Sequence, residues 1–289
     1  MESVLITGCS SGFGRVSATH FAQQGYRVFA TVRDAGAAAS LTGWAAENKL
    51  TLQPIHLDVT SRDSIAHAVD EVLAEAGSID VLINNAGIAI PGAFEDMPWE
   101  GLEQVMRANF YGPLHVTRAV LPHMRRRGRG KIIMVSSLSA LVGLPGMSAY
   151  SASKAALELA SESLRLEVDR FGISVSVIEP GAFNTAMPGK IIADLATPPD
   201  SPYRELLKHL HAGSVDGLGR GDDPMRVAEL LLEIARTPRP AFRYPAGAQA
   251  RQVVGAQSQL DAFARDAFIR SVDATEWWSE GKAAPKGQH

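Results

Sequence analysis

The sequence predicts an α/β fold built on a single doubly wound parallel sheet with helices on both faces. Short apolar runs recur along the chain, each separated by a stretch long enough for a crossover helix, which is the spacing parallel strands require. The first run ends in a glycine-rich turn that leads directly into a helical pattern. An apolar content of 46% with 20% charged residues is ordinary globular composition, and a mean hydropathy of -0.00 points neither to disorder nor to a membrane protein. With 289 residues the chain can bury a sizeable core.

Val4-Leu5-Ile6-Thr7 reads as a buried first strand. Arg15 to Gln24 follows as an amphipathic helix with Val16, Thr19, His20 and Phe21 on one side, closed by Gly25. Tyr26 to Val32 is the expected second strand. Apolar runs at Leu50 to Leu57, Ile79 to Asn84, Lys131 to Ser136 and Ile173 to Ile178 continue the rhythm. Thr60-Ser61-Arg62-Asp63 fits a capping box ahead of the third helix, and Asp223-Pro224 supplies a cap residue and a first-turn proline for a helix over Met225 to Ala235. Helical patterns also cover Trp99 to Met124 and Ala149 to Arg170.

Ala186 to Gly219 breaks the rhythm. Pro188, Pro198, Pro199 and Pro202 flank two helical pieces, Lys190 to Ala196 and Tyr203 to His211, whose Ile191, Ile192, Leu195, Leu206, Leu207 and Leu210 are too apolar for a disordered connector. Residues 186–219 are therefore expected to form a substrate loop within one dinucleotide-binding and catalytic domain over residues 1–280, followed by a flexible polar tail over 281–289.

Charge and cysteine content exclude several function classes. Lys and Arg total 28 against 31 Asp and Glu, a net charge of −3, so no nucleic-acid partner is expected. The run Arg125-Arg126-Arg127-Gly128-Arg129-Gly130-Lys131 closes a helix, where cations suit the dipole. No apolar run reaches the length of a spanning helix. Cys9 stands alone, and Met1 to Ile6 has no basic region before an apolar signal core, so a cytoplasmic location is expected. His209 and His211 point to different helix sides, and no metal site is expected. Trp277-Trp278 read as packing anchors or a subunit contact.

A strand, then Thr7-Gly8-x-x-x-Gly12-x-Gly14, then a helix, puts backbone N–H groups and a helix N-terminus against a dinucleotide pyrophosphate. Gly8-Cys9-Ser10-Ser11-Gly12 also satisfies the G-x-S-x-G elbow of serine hydrolases, but only seven residues precede it, too few for the preceding oxyanion loop. At the end of the second strand Arg33 favours NADP(H), because a guanidinium neutralises a 2′-phosphate, while the adjacent Asp34 keeps NAD(H) open. Tyr150 and Lys154, four apart at a helix start, share a face, and the ammonium is expected to favour the phenolate and tune Tyr150 for general acid/base work.

These motifs, with Asp58-Val59, Asn84-Asn85-Ala86-Gly87, Asn109, Ser136-Ser137 and Pro180-Gly181, fall in the order and spacing of one family, with Ser137 thirteen residues before Tyr150. From about Val4 to Thr185 the chain resembles the short-chain dehydrogenase/reductase family, with a Rossmann-type sheet. The resemblance implies that Tyr150 donates a proton in reduction and accepts one in oxidation. Lys154 would lower the Tyr150 pKa and hydrogen-bond the nicotinamide ribose, Ser137 would hold the substrate oxygen, and Asn109 would hold a water in a proton relay. Gly8, Ser10, Ser11, Gly12, Phe13 and Gly14 would cradle the cofactor. Asp58 and Val59 would meet its adenine, Asn85, Ala86 and Gly87 would line it, and Pro180, Gly181, Phe183 and Thr185 would clasp the carboxamide. Phe183 stands where smaller aliphatics are common.

Thr7-Gly8-Cys9-Ser10-Ser11-Gly12-Phe13-Gly14 and Phe29 to Asp34 look like the hydroxysteroid and retinol dehydrogenase branch. With Leu138, Leu144, Met147 and Met187 near the site, a small lipophilic alcohol or carbonyl is the expected substrate. The apolar helix from Ala149 to Leu166 is the expected interface of a homodimer or homotetramer. A non-catalytic NADP(H)-sensing regulator is the alternative, and it has no evident need for Ser137, Tyr150 and Lys154 together.

Overall fold

The computed structural model describes residues 1–185, 198–216, 221–257, 259–272 and 274–285. Seven strands, β1 (Ser3–Ile6), β2 (Arg27–Val32), β3 (Leu52–His56), β4 (Val81–Asn84), β5 (Gly130–Val135), β6 (Ile173–Pro180) and β7 (Arg243–Ala246), form one sheet in the order β3-β2-β1-β4-β5-β6-β7. Every pairing is parallel. Six strands fall on the expected apolar runs. The seventh, Arg-Tyr-Pro-Ala, has no such run, and Pro245 is tolerated because β7 is an edge.

Alternation along each strand divides the core between two faces. Val4, Ile6, Val28, Ala30, Ile83 and Ile133 point to one side, beneath α1 (Gly12–Gln23), α2 (Ala35–Glu47) and the helix over Met225–Arg236. Leu5, Phe29, Leu82, Ile132, Met134 and Val177 point to the other, beneath α3 (Arg62–Ala76), α5 (Gly112–Arg127) and α6 (Ser148–Val168). Each fully buried aliphatic side chain contributes about 1.5–3 kcal/mol. α4 (Trp99–Met106) runs into α5 through a π turn at Arg107–Tyr111.

Two local expectations are corrected. The buried face of α1 is Gly14, Ser17, Ala18, Phe21 and Ala22, so of the residues assigned to one side only Phe21 is buried. Its small residues let α1 lie against the helix over Met225–Arg236, a contact that the spacing of bulky residues does not reveal. The cap of α3 is Ser61, whose Oγ accepts from Ser64 N at 3.3 Å, because Thr60 instead donates to Asp58 through its N (2.8 Å) and Oγ1 (2.7 Å).

In the 186–219 segment, the piece expected over Lys190–Ala196 lies outside the described residues, and the second is α7 (Arg204–Asp216). Asp223 caps α8 (Met225–Arg236) by accepting from Met225 N at 2.9 Å. After β7 come α9 (Ala248–Gln257), α10 (Ala262–Val272) and α11 (Glu276–Ser279). Trp277 and Trp278 of α11 anchor this segment on α7 through His209 (5.6 Å between ring centres) and in front of it through Tyr203 (6.3 Å). Gly281 N and Lys282 N bond back to Trp278 and Trp277 carbonyls. The basic run is used internally: Arg127 donates to Asp80 at 2.7 Å, Arg125 lies over the Phe171 ring, and Lys131 reaches the Ile234 and Thr237 carbonyls. Among the described residues no helix is long and apolar enough to cross a membrane, and no His/Cys/Asp/Glu group could hold a metal ion.

Candidate active site

Parallel strands deliver their carboxyl ends to one edge, and the order reverses between β1 and β4, which opens a crevice there. The glycine turn leaves β1 at that point. Thr7 Oγ1 accepts from Asn85 N and Ala86 N, both at 2.9 Å, while Asn85 Nδ2 donates to the carbonyls of Thr7 (2.8 Å) and Gly8 (3.1 Å). Asn85 therefore shapes the turn, its amide being spent on backbone. Asn84 steadies the sheet through Thr117 Oγ1 at 3.0 Å. Gly8 has φ +74°, and a Cβ there would sit 2.8 Å from Ala86 Cα; a Cβ on Gly14 would collide with the Gly8 carbonyl and the Asn85 amide. Ser11 caps α1 without a side-chain hydrogen bond. A backbone cradle at a helix N-terminus fits a dinucleotide pyrophosphate.

At the adenosine end, the Asp34 carboxylate accepts from Ala37 N at 2.7 Å as the N-cap of α2, and Arg33 is exposed beside it. Asp58 lies beyond β3. Burial tends to raise its pKa, but hydrogen bonds from Thr60, with Arg33 and His56 nearby, outweigh it and hold the carboxyl below its ordinary value. Val59 is buried under Gly112. At the nicotinamide end Gly181 follows β6, and Thr185 lies across from Gly12. Phe183 fits because its buried ring packs edge-on to Phe13, with ring centres 5.2 Å apart.

The catalytic candidates converge at the ends of β4, β5 and α6. Asn109 occupies the π turn and is fully buried; its Oδ1 accepts from Ile88 N and its Nδ2 donates to Ile88 O, each at 2.8 Å, with Ser153 Oγ a further partner at 3.1 Å. It thus holds the segment after β4, including Gly87, against α6. Lys154 Nζ donates to Val135 O at 2.8 Å and lies 5.7 Å from the Tyr150 ring centre. Ser137, two residues past β5, accepts from Ser139 N at 3.1 Å.

Burial dominates the electrostatics. It raises the Tyr150 pKa, with a hydrogen bond to Ser137 acting in the opposite direction, and lowers Lys154 to about 8, opposed by Glu158. The expected lowering of Tyr150 by Lys154 is not what this arrangement gives: burial is the largest influence on Tyr150, and the hydrogen bond to Ser137 is what opposes it. A cavity of about 230 Å³ adjoins these groups, lined by Ser137, Leu138, Val142, Leu144, Gly181, Ala182, Gln249 and Val253. Leu138 and Leu144 were expected there; Met147, also expected, is not among the lining residues, and Met187 lies outside the described residues. Gln249, which accepts from Ala182 N at 2.8 Å, and Val253 come from α9, and no sequence motif marks them. Glu158, four residues after Lys154, carries the one legible signal that was passed over: its position on the Lys154 face of α6.

The sequence pattern of the family described as short chain dehydrogenase matches residues 2–196. A 3-ketodihydrosphingosine reductase of Bacteroides thetaiotaomicron is 36% identical over 85% of this chain and 88% of its own length. Mouse 17-beta-hydroxysteroid dehydrogenase type 1 is 37% identical over 83% of this chain and 72% of its own. The crystal structure of a short-chain dehydrogenase from Streptomyces avermitilis superposes with a TM-score of 0.75 at 32% identity, covering 97% of each chain. The chain belongs to the short-chain dehydrogenase/reductase family, within its hydroxysteroid and retinol dehydrogenase-like branch, and is an oxidoreductase acting between alcohol and carbonyl.

Proposed function

We propose that the protein is an NADP(H)-preferring reductase/dehydrogenase for a lipophilic secondary alcohol or carbonyl, with Tyr150 as general acid and base. The observation that carries this is Ser137 at the wall of an apolar cavity, in hydrogen-bond reach of the buried Tyr150, with the buried Lys154 5.7 Å from the Tyr150 ring centre. The nicotinamide cofactor, when bound, supplies or takes up the hydride. Burial keeps the proton on Tyr150 at neutral pH, ready for a carbonyl oxygen held by Ser137; in oxidation the same oxygen takes the proton back. Lys154, fixed by Val135 O, provides positive charge beside the phenol, and Asn109, whose side chain holds the segment after β4, would hold a water in a proton relay.

Asp34 turns one carboxylate oxygen to capping α2, and the exposed guanidinium of Arg33 beside it supports NADP(H) over NAD(H). The lining leucines and valines support a lipophilic substrate, as do the names of the two relatives. Exposed Leu159 and Leu166 on one side of α6 support a homodimer or homotetramer, and the buried Cys9 thiol suits a reducing cytoplasm. The test is oxidation of NADPH and NADH against a panel of lipophilic ketones and aldehydes, with Tyr150→Phe in parallel. Turnover favouring NADPH and lost in the variant, with nucleotide binding intact, is expected. Undiminished turnover in Tyr150→Phe refutes the mechanism.

A further inference from the structure

Lys154, Glu158 and Glu162 lie on successive turns of one face of α6. Lys154 and Glu158 are 4% and 2% exposed, and Glu179 on β6 is 1% exposed. Burying two carboxylates at one place is costly unless a cation joins them. Arg243 on β7 does so, pairing with Glu158 Oε2, with Glu179 Oε1 at 2.9 Å and with Glu162 Oε2 at 3.2 Å. The remaining Glu158 oxygen, Oε1, accepts from Ser136 Oγ at 2.6 Å. Ser136 lies between Val135, whose carbonyl anchors Lys154, and Ser137.

We propose that Glu158 is a positioning residue for the reaction: one carboxylate oxygen fixes Ser136, between the anchor of Lys154 and the hydroxyl of Ser137, and the charge that Arg243 keeps on it favours the ammonium form of Lys154. This rests on the reading of Ser137, Tyr150 and Lys154 given above. Lys154 is faced by Tyr150 and Glu158 from its own helix, by Asn109 across Gly87 from the π turn, and by the Val135 carbonyl from β5. Glu158 is faced by Ser136 just past β5, by Glu179 from β6 and by Arg243 from β7. Burial, then Glu179, pushes the Glu158 pKa up, while Ser136 and Arg243 oppose them. Without Arg243 the carboxylate would neutralise and Lys154 would lose the one charge that opposes its own desolvation. A position needed only for packing would hold an apolar residue at lower cost.

Glu158→Gln keeps an oxygen for Ser136 and removes the charge. In enzyme labelled with ε-13C-lysine, with Lys154 assigned through Lys154→Arg, the Lys154 titration is followed by NMR in wild type, Glu158→Gln, Glu158→Asp and Arg243→Gln. The midpoint is expected to fall by about one pH unit in Glu158→Gln, the lower end of what a close opposite charge supplies, and to return toward wild type in Glu158→Asp. The alkaline limb of kcat/KM for NADPH-dependent reduction of the best ketone in the panel moves with it, and kcat near pH 8 falls about five-fold, as the ammonium fraction does when a midpoint near 8 drops by one unit. An unmoved Lys154 midpoint in folded Glu158→Gln overturns the proposal; if that variant does not fold, an unmoved midpoint in Arg243→Gln does so. A wild type that reduces no carbonyl refutes the functional reading instead, whereas an active wild type with an unmoved midpoint refutes this one alone.

Discussion

Lys154 couples the chemistry of the site to folding in a way that titration can measure. Its ammonium is 4% exposed and donates to Val135 O at 2.8 Å, and burial takes its pKa from 10.5 to about 8. Between those two values the folded protein binds fewer protons at this site than the unfolded chain. Stability therefore rises with pH through the window; the contribution is fully present above 10.5 and is lost as pH falls through about 8. At about 1.4 kcal/mol per pH unit, the window is worth about 3 kcal/mol. Lys154→Met keeps the length of the side chain and removes the titration, at the expense of one hydrogen bond worth about 1 kcal/mol. Urea unfolding of both proteins from pH 7 to pH 10.5 isolates the effect, because the other titrating groups largely cancel in the difference. At pH 7 the variant is expected to be at least as stable as wild type while carrying no reductase activity. By pH 10.5 wild type gains about 3 kcal/mol on it. A stability difference that stays constant within about 1 kcal/mol across the window refutes the reasoning.

Arg33→Ala is expected to weaken NADPH binding by about 10- to 100-fold, the worth of a charge-assisted phosphate contact, with NADH nearly unchanged; calorimetric titration of both nucleotides decides it, and equal losses reject the contact. Gly8→Ala puts a Cβ 2.8 Å from Ala86 Cα at a φ of +74°, so nucleotide affinity should fall at least ten-fold and the melting temperature should drop; unchanged binding shows that the turn is not held as described. Asp80→Asn removes the carboxylate that accepts from Ser3 and Arg127. Burial would raise Asp80, but those bonds outweigh it and lower its pKa. Its contribution, about 2 kcal/mol at neutral pH, is lost as pH falls through the depressed value, so wild type and variant converge in acid urea melts.

The features legible in the sequence are those written in adjacent residues. The glycine turn, the Tyr150/Lys154 spacing and six of the seven strands announce themselves, because each rests on local backbone demands or on apolar runs that two-sided burial requires. The seventh strand does not, since an edge strand needs no run and tolerates Pro245. Asn109 was visible within a helical pattern over Trp99 to Met124, but the π turn that carries it inward is a change in winding, which no periodicity of side chains displays. Gln249 and Val253 were illegible because their place at the cavity depends on how α9 returns after β7. The α1 face was misread because its contact with α8 is made by small residues, whose value lies in close approach rather than in apolar bulk.

The geometry of the site also explains why a reactive centre can be so deeply buried. Desolvation drives Tyr150, Lys154 and Glu158 toward their neutral forms, and a pocket that only excluded water would leave no charge to work with. The fold counters this with a line of alternating signs. The half-buried Arg243, still in reach of solvent, keeps its charge at modest cost; Glu158 and Glu179 are held beside it; Lys154 stands one turn further along α6 and Tyr150 one turn beyond that. Each buried charge is supported by a neighbour closer to water, so the cost of the innermost one is spread along the helix. The strand ends then supply what charge alone does not, a fixed distance: Val135 ends β5 and Ser136 follows it directly, one carrying Lys154 and the other Glu158, and Ser137 comes next at the cavity. The register of one strand against one helix thus sets the spacing between Tyr150, Lys154 and Ser137.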